Sequence, residues 1–150
     1  EKELEQTKMY LGKTDVEGQG ITIKIQENTN QNNNSEEESV TPISAEDLLV
    51  IVDYLKLAGA EAISINDQRI ISTSEIVDIG SNSIIFVNQQ RVLAPYTIKA
   101  IGDSTKLEST LLGNGGYVEE LRNYGFQVDI TKGKVNIQKY SKDMTHKYIK

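Results

Sequence analysis

At 150 residues the chain is long enough for one domain with a sizeable hydrophobic core. Its net charge of −6 argues against nucleic-acid binding, which needs a basic face to displace counterions from phosphates. The absence of cysteine excludes disulfides and thiolate chemistry. The single histidine, His146, lies in a polar tail, where a zinc site or a Ser-His-Asp triad would lack a rigid scaffold.

Residues 1–11 are helix-prone, with Leu4 and Leu11 one heptad apart. Residues 1–17 are therefore expected to be the end of a coiled coil or linker helix. The chain begins at Glu1 in what reads as mid-helix, so a further N-terminal segment is expected before it. Gly18-Gln19-Gly20 should break that helix. It lacks the third glycine of a dinucleotide fingerprint and precedes a strand instead of following one, so a phosphate loop is disfavoured. ITIKI, residues 21–25, alternates apolar and polar residues as a half-buried strand does.

The tract NTNQNNNSEEES, residues 28–39, has no apolar residue and is expected to be a mobile loop within residues 28–41. Its glutamates lack the spacing and turn glycine of an EF-hand, so no calcium site is assigned. Ser44, with Asp47 three residues on, forms a capping box. Leu48, Ile51, Val52 and Leu55 then make an i, i+3, i+4, i+7 stripe that ends at Gly59. AISI, residues 62–65, follows as a strand.

Two stretches share a wording: ISINDQRII and IFVNQQRVL, each running Asn-x-Gln-Arg between apolar residues. If Asn66-Asp67 turn the first, Ile65 faces Gln68, Ser64 faces Arg69 and Ile63 faces Ile70. If Asn88-Gln89 turn the second, Val87 faces Gln90, Phe86 faces Arg91 and Ile85 faces Val92. Gln is a poor second residue for such a turn, which leaves a longer or bulged loop open. Arg91 beside Phe86 is expected to pack its stem and contribute about 1 kcal/mol, and Arg69 less unless it ties down the loop after Ile71. YTIKAIG, residues 96–102, is another strand, and Asp103 or Ser104 caps a short helix carrying Leu107, Leu111 and Leu112. A second short helix carries Val118, Leu121 and Tyr124. FQVDI, Lys132-Gly133 and KVNIQ read as a closing hairpin. Residues 141–150 are a basic polar tail.

This order predicts an α+β domain over residues 18–140: a mainly antiparallel sheet with helices on one face, in a split β-α-β (ferredoxin-like) layout with added hairpin strands. Nothing in the chain assembles a nucleophile, a base and an oxyanion site, so no catalytic residues, cofactor or metal are assigned and the chain reads as no enzyme. A speculative site for a small anion would combine Asn66, Arg69, Arg91 and Tyr96 with the helix start at Gly102, Asp103 and Ser104.

At LLVIVDYLKLAGAEAISINDQRI and LAPYTIKAIGDSTKLESTL the sequence resembles the YlxW/YlxX-like bacterial proteins, domain-of-unknown-function family 881. The phrases GAEAISIN-x-QRI and PY-x-I-x-AIGD carry the resemblance, which runs from about Gly18 to the strand at residues 135–137. It departs where the family usually has Gly-Pro-Gly for Gly18-Gln19-Gly20, and Asn-Gly at the two turns. The resemblance implies a single-pass cell-membrane protein with a short cytoplasmic start, a transmembrane helix, a coiled coil and this domain outside the membrane. It also implies protein partners in cell division or cell-envelope assembly. Leu4 and Leu11 alone are too few to hold a dimer, so this chain is expected to be mostly monomeric at micromolar concentration, with pairing of the full-length chain left open.

Overall fold

The computed structural model describes residues 14–27, 42–80, 84–113 and 116–140. The expected coiled-coil end at residues 1–11, the tract at 28–41 and the tail at 141–150 lie outside the described residues.

The chain runs β1 (Val16–Gln26), α1 (Ala45–Leu57), β2 (Ala62–Ile65), β3 (Gln68–Ile70), β4 (Ile76–Ile79), β5 (Ile84–Val87), β6 (Gln90–Val92) and β7 (Tyr96–Ile101). It closes with α2 (Ser104–Leu112), α3 (Tyr117–Asn123) and β8 (Gln127–Ile137). The fold is α+β. Five strands form one sheet in the order β3-β2-β7-β1-β8, and β4-β5-β6 form a second. Every neighbouring pair is antiparallel. Because β7 lies between β1 and β2, those two strands run parallel to one another and α1 joins them across it.

The predicted core is in place. Ile21, Ile23 and Ile25 of β1 stand level with Ala100, Ile98 and Tyr96 of β7, and all are buried. The helical stripe Leu48, Ile51, Val52 and Leu55 joins this core, as do Leu107 and Leu111 of α2 and Val118 and Leu121 of α3. The capping box at Ser44 forms as predicted: Asp47 N donates to Ser44 Oγ (3.2 Å), and Ser44 N donates to Asp47 Oδ2 (2.9 Å). The other Asp47 oxygen accepts from the Tyr117 hydroxyl, which ties α3 to the start of α1. Asp78 of β4 adds a third anchor, accepting from Ala45 N at 2.8 Å. Negative charge at this end of α1 also suits the helix dipole.

Several expectations need correction. The expected closing hairpin is one continuous strand. β8 pairs with β1 over its whole length, from Gln26↔Gln127 to Val16↔Ile137, so Lys132-Gly133 does not turn. An eleven-residue β1 offers a ladder that the hairpin would have abandoned halfway, and each unmade backbone bond would need another partner. Nor does Gly18-Gln19-Gly20 break a helix, since β1 already begins at Val16, inside the segment expected to be linker. Gly20 is there for close approach. A Cβ on it would lie 1.9 Å from Ala100 O, whereas one on Gly18 would meet only Ile101 Cγ2 at 3.2 Å. Beyond Gly20 the β1–β8 ribbon outruns β7, and its residues Val16, Val135 and Ile137 pack with Ala62 and Ile101 into a second buried cluster. Strand β4 and the separate three-stranded sheet were not anticipated.

Gly20→Ala is expected to destabilise the domain by about 2–3 kcal/mol, because backbone and not a pliable side chain occupies the space. Gly59→Ala, where only the positive φ of 94° objects, should cost about 1 kcal/mol. Urea unfolding of the two variants distinguishes these costs. A second expectation concerns alkaline pH. Burial and the Asp47 carboxylate push the Tyr117 hydroxyl well above its ordinary value of 10.0. A pKa raised on folding contributes stability that is complete below about pH 10 and is lost as pH rises toward the folded value. Stability should therefore fall above pH 10 in the parent and fall less steeply in Tyr117→Phe, as followed by denaturant midpoints across that range.

Candidate functional site

Both shared phrases are two-residue hairpins. Asn66 and Asp67 adopt φ of 48° and 70°, and Asn88 and Gln89 adopt 56° and 68°, the left-handed pair that a type I′ turn requires. The registers are those counted from the sequence: Ser64 faces Arg69 and Phe86 faces Arg91. No bulge is needed at Asn88-Gln89.

The two arginines have separate roles. Arg69 is 2% exposed, and its Nη1 donates to Thr14 O at 2.9 Å and Gln138 O at 3.1 Å, at the outer ends of β1 and β8. Burial pulls its pKa below the usual arginine value, while the nearby Asp15 carboxylate pushes it back up. Asp15 Oδ1 in turn accepts from Lys139 N at 2.8 Å. Arg91, in contrast, is exposed beside a half-buried Phe86. Arg69 ties down the chain, at the outer strand ends and not at the loop after Ile71, while Arg91 stands opposite Phe86 as counted and is exposed. Long-range geometry decided this: the partners of Arg69 lie 55 and 69 residues away in sequence.

The remaining members of the speculative anion site divide. Asn66 bridges the chain around the cis Ala94–Pro95 bond, donating from Nδ2 to Leu93 O (2.8 Å) and accepting from Thr97 N (2.7 Å). Tyr96 is buried close to Arg91 and Glu27, with its hydroxyl pKa raised first by burial and then by Glu27. So Asn66, Tyr96 and Arg91 share a neighbourhood, and Arg69 is engaged elsewhere. Asp103 caps α2, its Oδ1 accepting from Thr105 N (3.1 Å) and Lys106 N (3.2 Å). The donors an anion would need there are taken. Gly102 N donates to Gln19 O at 2.9 Å, and Ser104 is the first residue of the helix.

Two features escaped the sequence reading. Asn88 is 4% exposed, and its Nδ2 donates to Arg69 O at 2.8 Å, which locks the second hairpin onto the first. Its Oδ1 has no donor among the described residues. A cavity of about 40 Å³ lies beside it, lined by Thr73, Glu75, Asn88, Gln89 and Tyr140, with room for about one water-sized donor.

The second feature is larger. β4-β5-β6 buries Ile76, Ile85, Val87 and Val92 against the core, yet its outer face is also apolar. Val77 (41% exposed) stands opposite Phe86, Ile79 (55%) stands opposite Ile84, and Leu93 (61%) follows β6. The signal was in the sequence: IIFV puts apolar residues on both sides of a strand, where a solvated face alternates with polar ones.

A family model described as "Bacterial protein of unknown function (DUF881)" matches residues 3–150. The chain belongs to this family. Among DUF881-like proteins, it is 28% identical over 134 residues to the UPF0749 protein YlxW of Bacillus subtilis (strain 168). That alignment takes in 89% of this chain but 56% of the relative, so the chain spans little more than half the relative's length. The fold is similar to the crystal structure of an uncharacterized conserved protein from Mycobacterium tuberculosis, with a TM-score of 0.75 and 23% identity over 92% of this chain and 91% of that one.

Removing the buried Arg69 guanidinium leaves the carbonyls of Thr14 and Gln138 without this donor. Arg69→Met is expected to cost about 2–4 kcal/mol, and Arg91→Ala to stay within about 0.5 kcal/mol. Chemical denaturation of both variants checks the contrast.

Proposed function

We propose that this domain is a non-enzymatic interaction module, held on the extracytoplasmic side of a bacterial membrane by a preceding anchor and coiled coil, that serves a cell-division or cell-envelope assembly. The observation that carries the interaction reading is the outer face of β4-β5-β6, where Val77, Ile79 and Leu93 are 41%, 55% and 61% exposed around the half-buried Phe86. Scattered exposed aliphatics need no explanation, but a contiguous apolar face is a usual mark of a binding surface. The membrane and assembly setting is what the family resemblance supports. The alternative, a module for a small anionic ligand, has less support, because Arg69 is committed to carbonyl oxygens and Asp103 occupies the start of α2.

Site-specific photocrosslinkers placed at Ile79 and Leu93 of the full-length protein in cells should give protein adducts. A crosslinker at Tyr124, more exposed at 72% but on another surface, should not. Adducts from all three positions alike, or from none, would count against the module. Protease added to intact spheroplasts should digest the domain; protection would place it on the other side of the membrane.

A further inference from the structure

We propose that the outer face of β4-β5-β6 docks onto the same face of a second copy of this chain, an inference that rests on reading that face as the interaction surface.

The middle and the two edges of the face differ in chemistry. Its middle is apolar: Val77 and Phe86 form one cross-strand pair and Ile79 extends the row along β4. At the β6 edge, opposite Phe86, stands Arg91. At the β4 edge stands Glu75, two residues before Val77 and so on the same side of the extended chain. Both charges are exposed, and neither makes an ion pair with another described residue.

Opposite charges on opposite edges of an apolar face are what a two-fold pairing needs. An isologous interface matches residue i of one copy with residue j of the other, and j with i. When two sheets stack with their strands aligned to within about 30°, a two-fold axis along the strands lays β6 of one copy over β4 of its partner. Arg91 then approaches the Glu75 side of the second copy twice over, with the aliphatic rows packed between. A merely apolar partner would explain Val77 and Ile79 but would leave the charge placement without a role. With strands of only three or four residues, the face is small beside the roughly 800 Å² per partner of stable dimers. Association of the free domain should therefore be weak, and tethering copies on one membrane would raise their effective concentration.

The test uses the 150-residue chain. Sedimentation from micromolar to millimolar concentration should show a reversible monomer–dimer equilibrium. Arg91→Glu and Glu75→Arg should each weaken it by about tenfold, since each sets like charges against one another. The double variant should recover the parent's affinity, a rescue that no intrachain role predicts for two residues that do not pair with each other. Because the parent has no cysteine, Val77→Cys and Phe86→Cys should crosslink copy to copy with a bis-maleimide. Leu57→Cys, 80% exposed on α1, should remain uncrosslinked. Circular dichroism on every variant separates lost pairing from lost folding, and Val77→Cys serves if Phe86→Cys is misfolded. A parent that stays monomeric at millimolar concentration, or a double variant as weak as the singles, overturns the proposal. If it falls while Ile79 and Leu93 still photocrosslink to a different protein in cells, the interaction module stands with another partner. If no adduct forms at all, both readings fall together.

Discussion

The architecture depends on one ladder, the eleven-rung antiparallel pairing of β1 with β8. It joins the beginning of the described chain to its end, and it lines up Ile21, Ile23 and Ile25 as the row against which α2 and the rest of the core pack. The ladder tolerates its length because Gly20 lets β1 lie against β7 at a distance no side chain would permit. On the near side of that crossing the strand belongs to the main sheet. On the far side it leaves β7 and builds the smaller apolar cluster with Ala62 and Ile101. Arg69 then closes the open end of the ribbon through Thr14 and Gln138.

The second sheet depends on this frame through a chain of polar contacts. Asn88 at the β5–β6 turn holds the carbonyl of Arg69, and Asp78 in β4 holds the first turn of α1. Both use side chains whose conformational demands the sequence displays: an asparagine able to take positive φ, and a carboxylate at a helix N-terminus. The small sheet is thus pinned at two places to elements on either side of the core. Its outer face can present apolar residues without the sheet having to bury them for stability.

Local rules carried the reading of the sequence a long way. The capping box and stripe of α1 involve residues within one another's reach along the chain, so propensity and periodicity describe them fully. The two hairpin registers follow from counting outward from Asn66-Asp67 and Asn88-Gln89. Where the reading failed, the deciding partner was distant. Lys132-Gly133 has turn composition, and only the length of β1 makes it strand. Gly18-Gln19-Gly20 looks like a helix stop, and only the carbonyl of Ala100 explains why Gly20 must be glycine. Of the candidate site, Asn66, Arg91 and Tyr96 were brought near one another, while Arg69 was drawn away by carbonyls that no local pattern announces. The apolar outer face was legible in IIFV, but it needed a sheet around it before "outer" had meaning.

The ends of the ladder also give the domain a mechanical character. Thr14 and Gln138 flank the Val16↔Ile137 rung, so the chain enters and leaves the ladder at the same end of an antiparallel pair. Tension applied through those two connections would peel the ladder open one rung at a time instead of shearing all its bonds together. Peeling is the mode of lower resistance, and its first obstacle is the buried guanidinium of Arg69 bridging the two departing strands. Toward a pull along its own chain the domain is a zipper with one clasp.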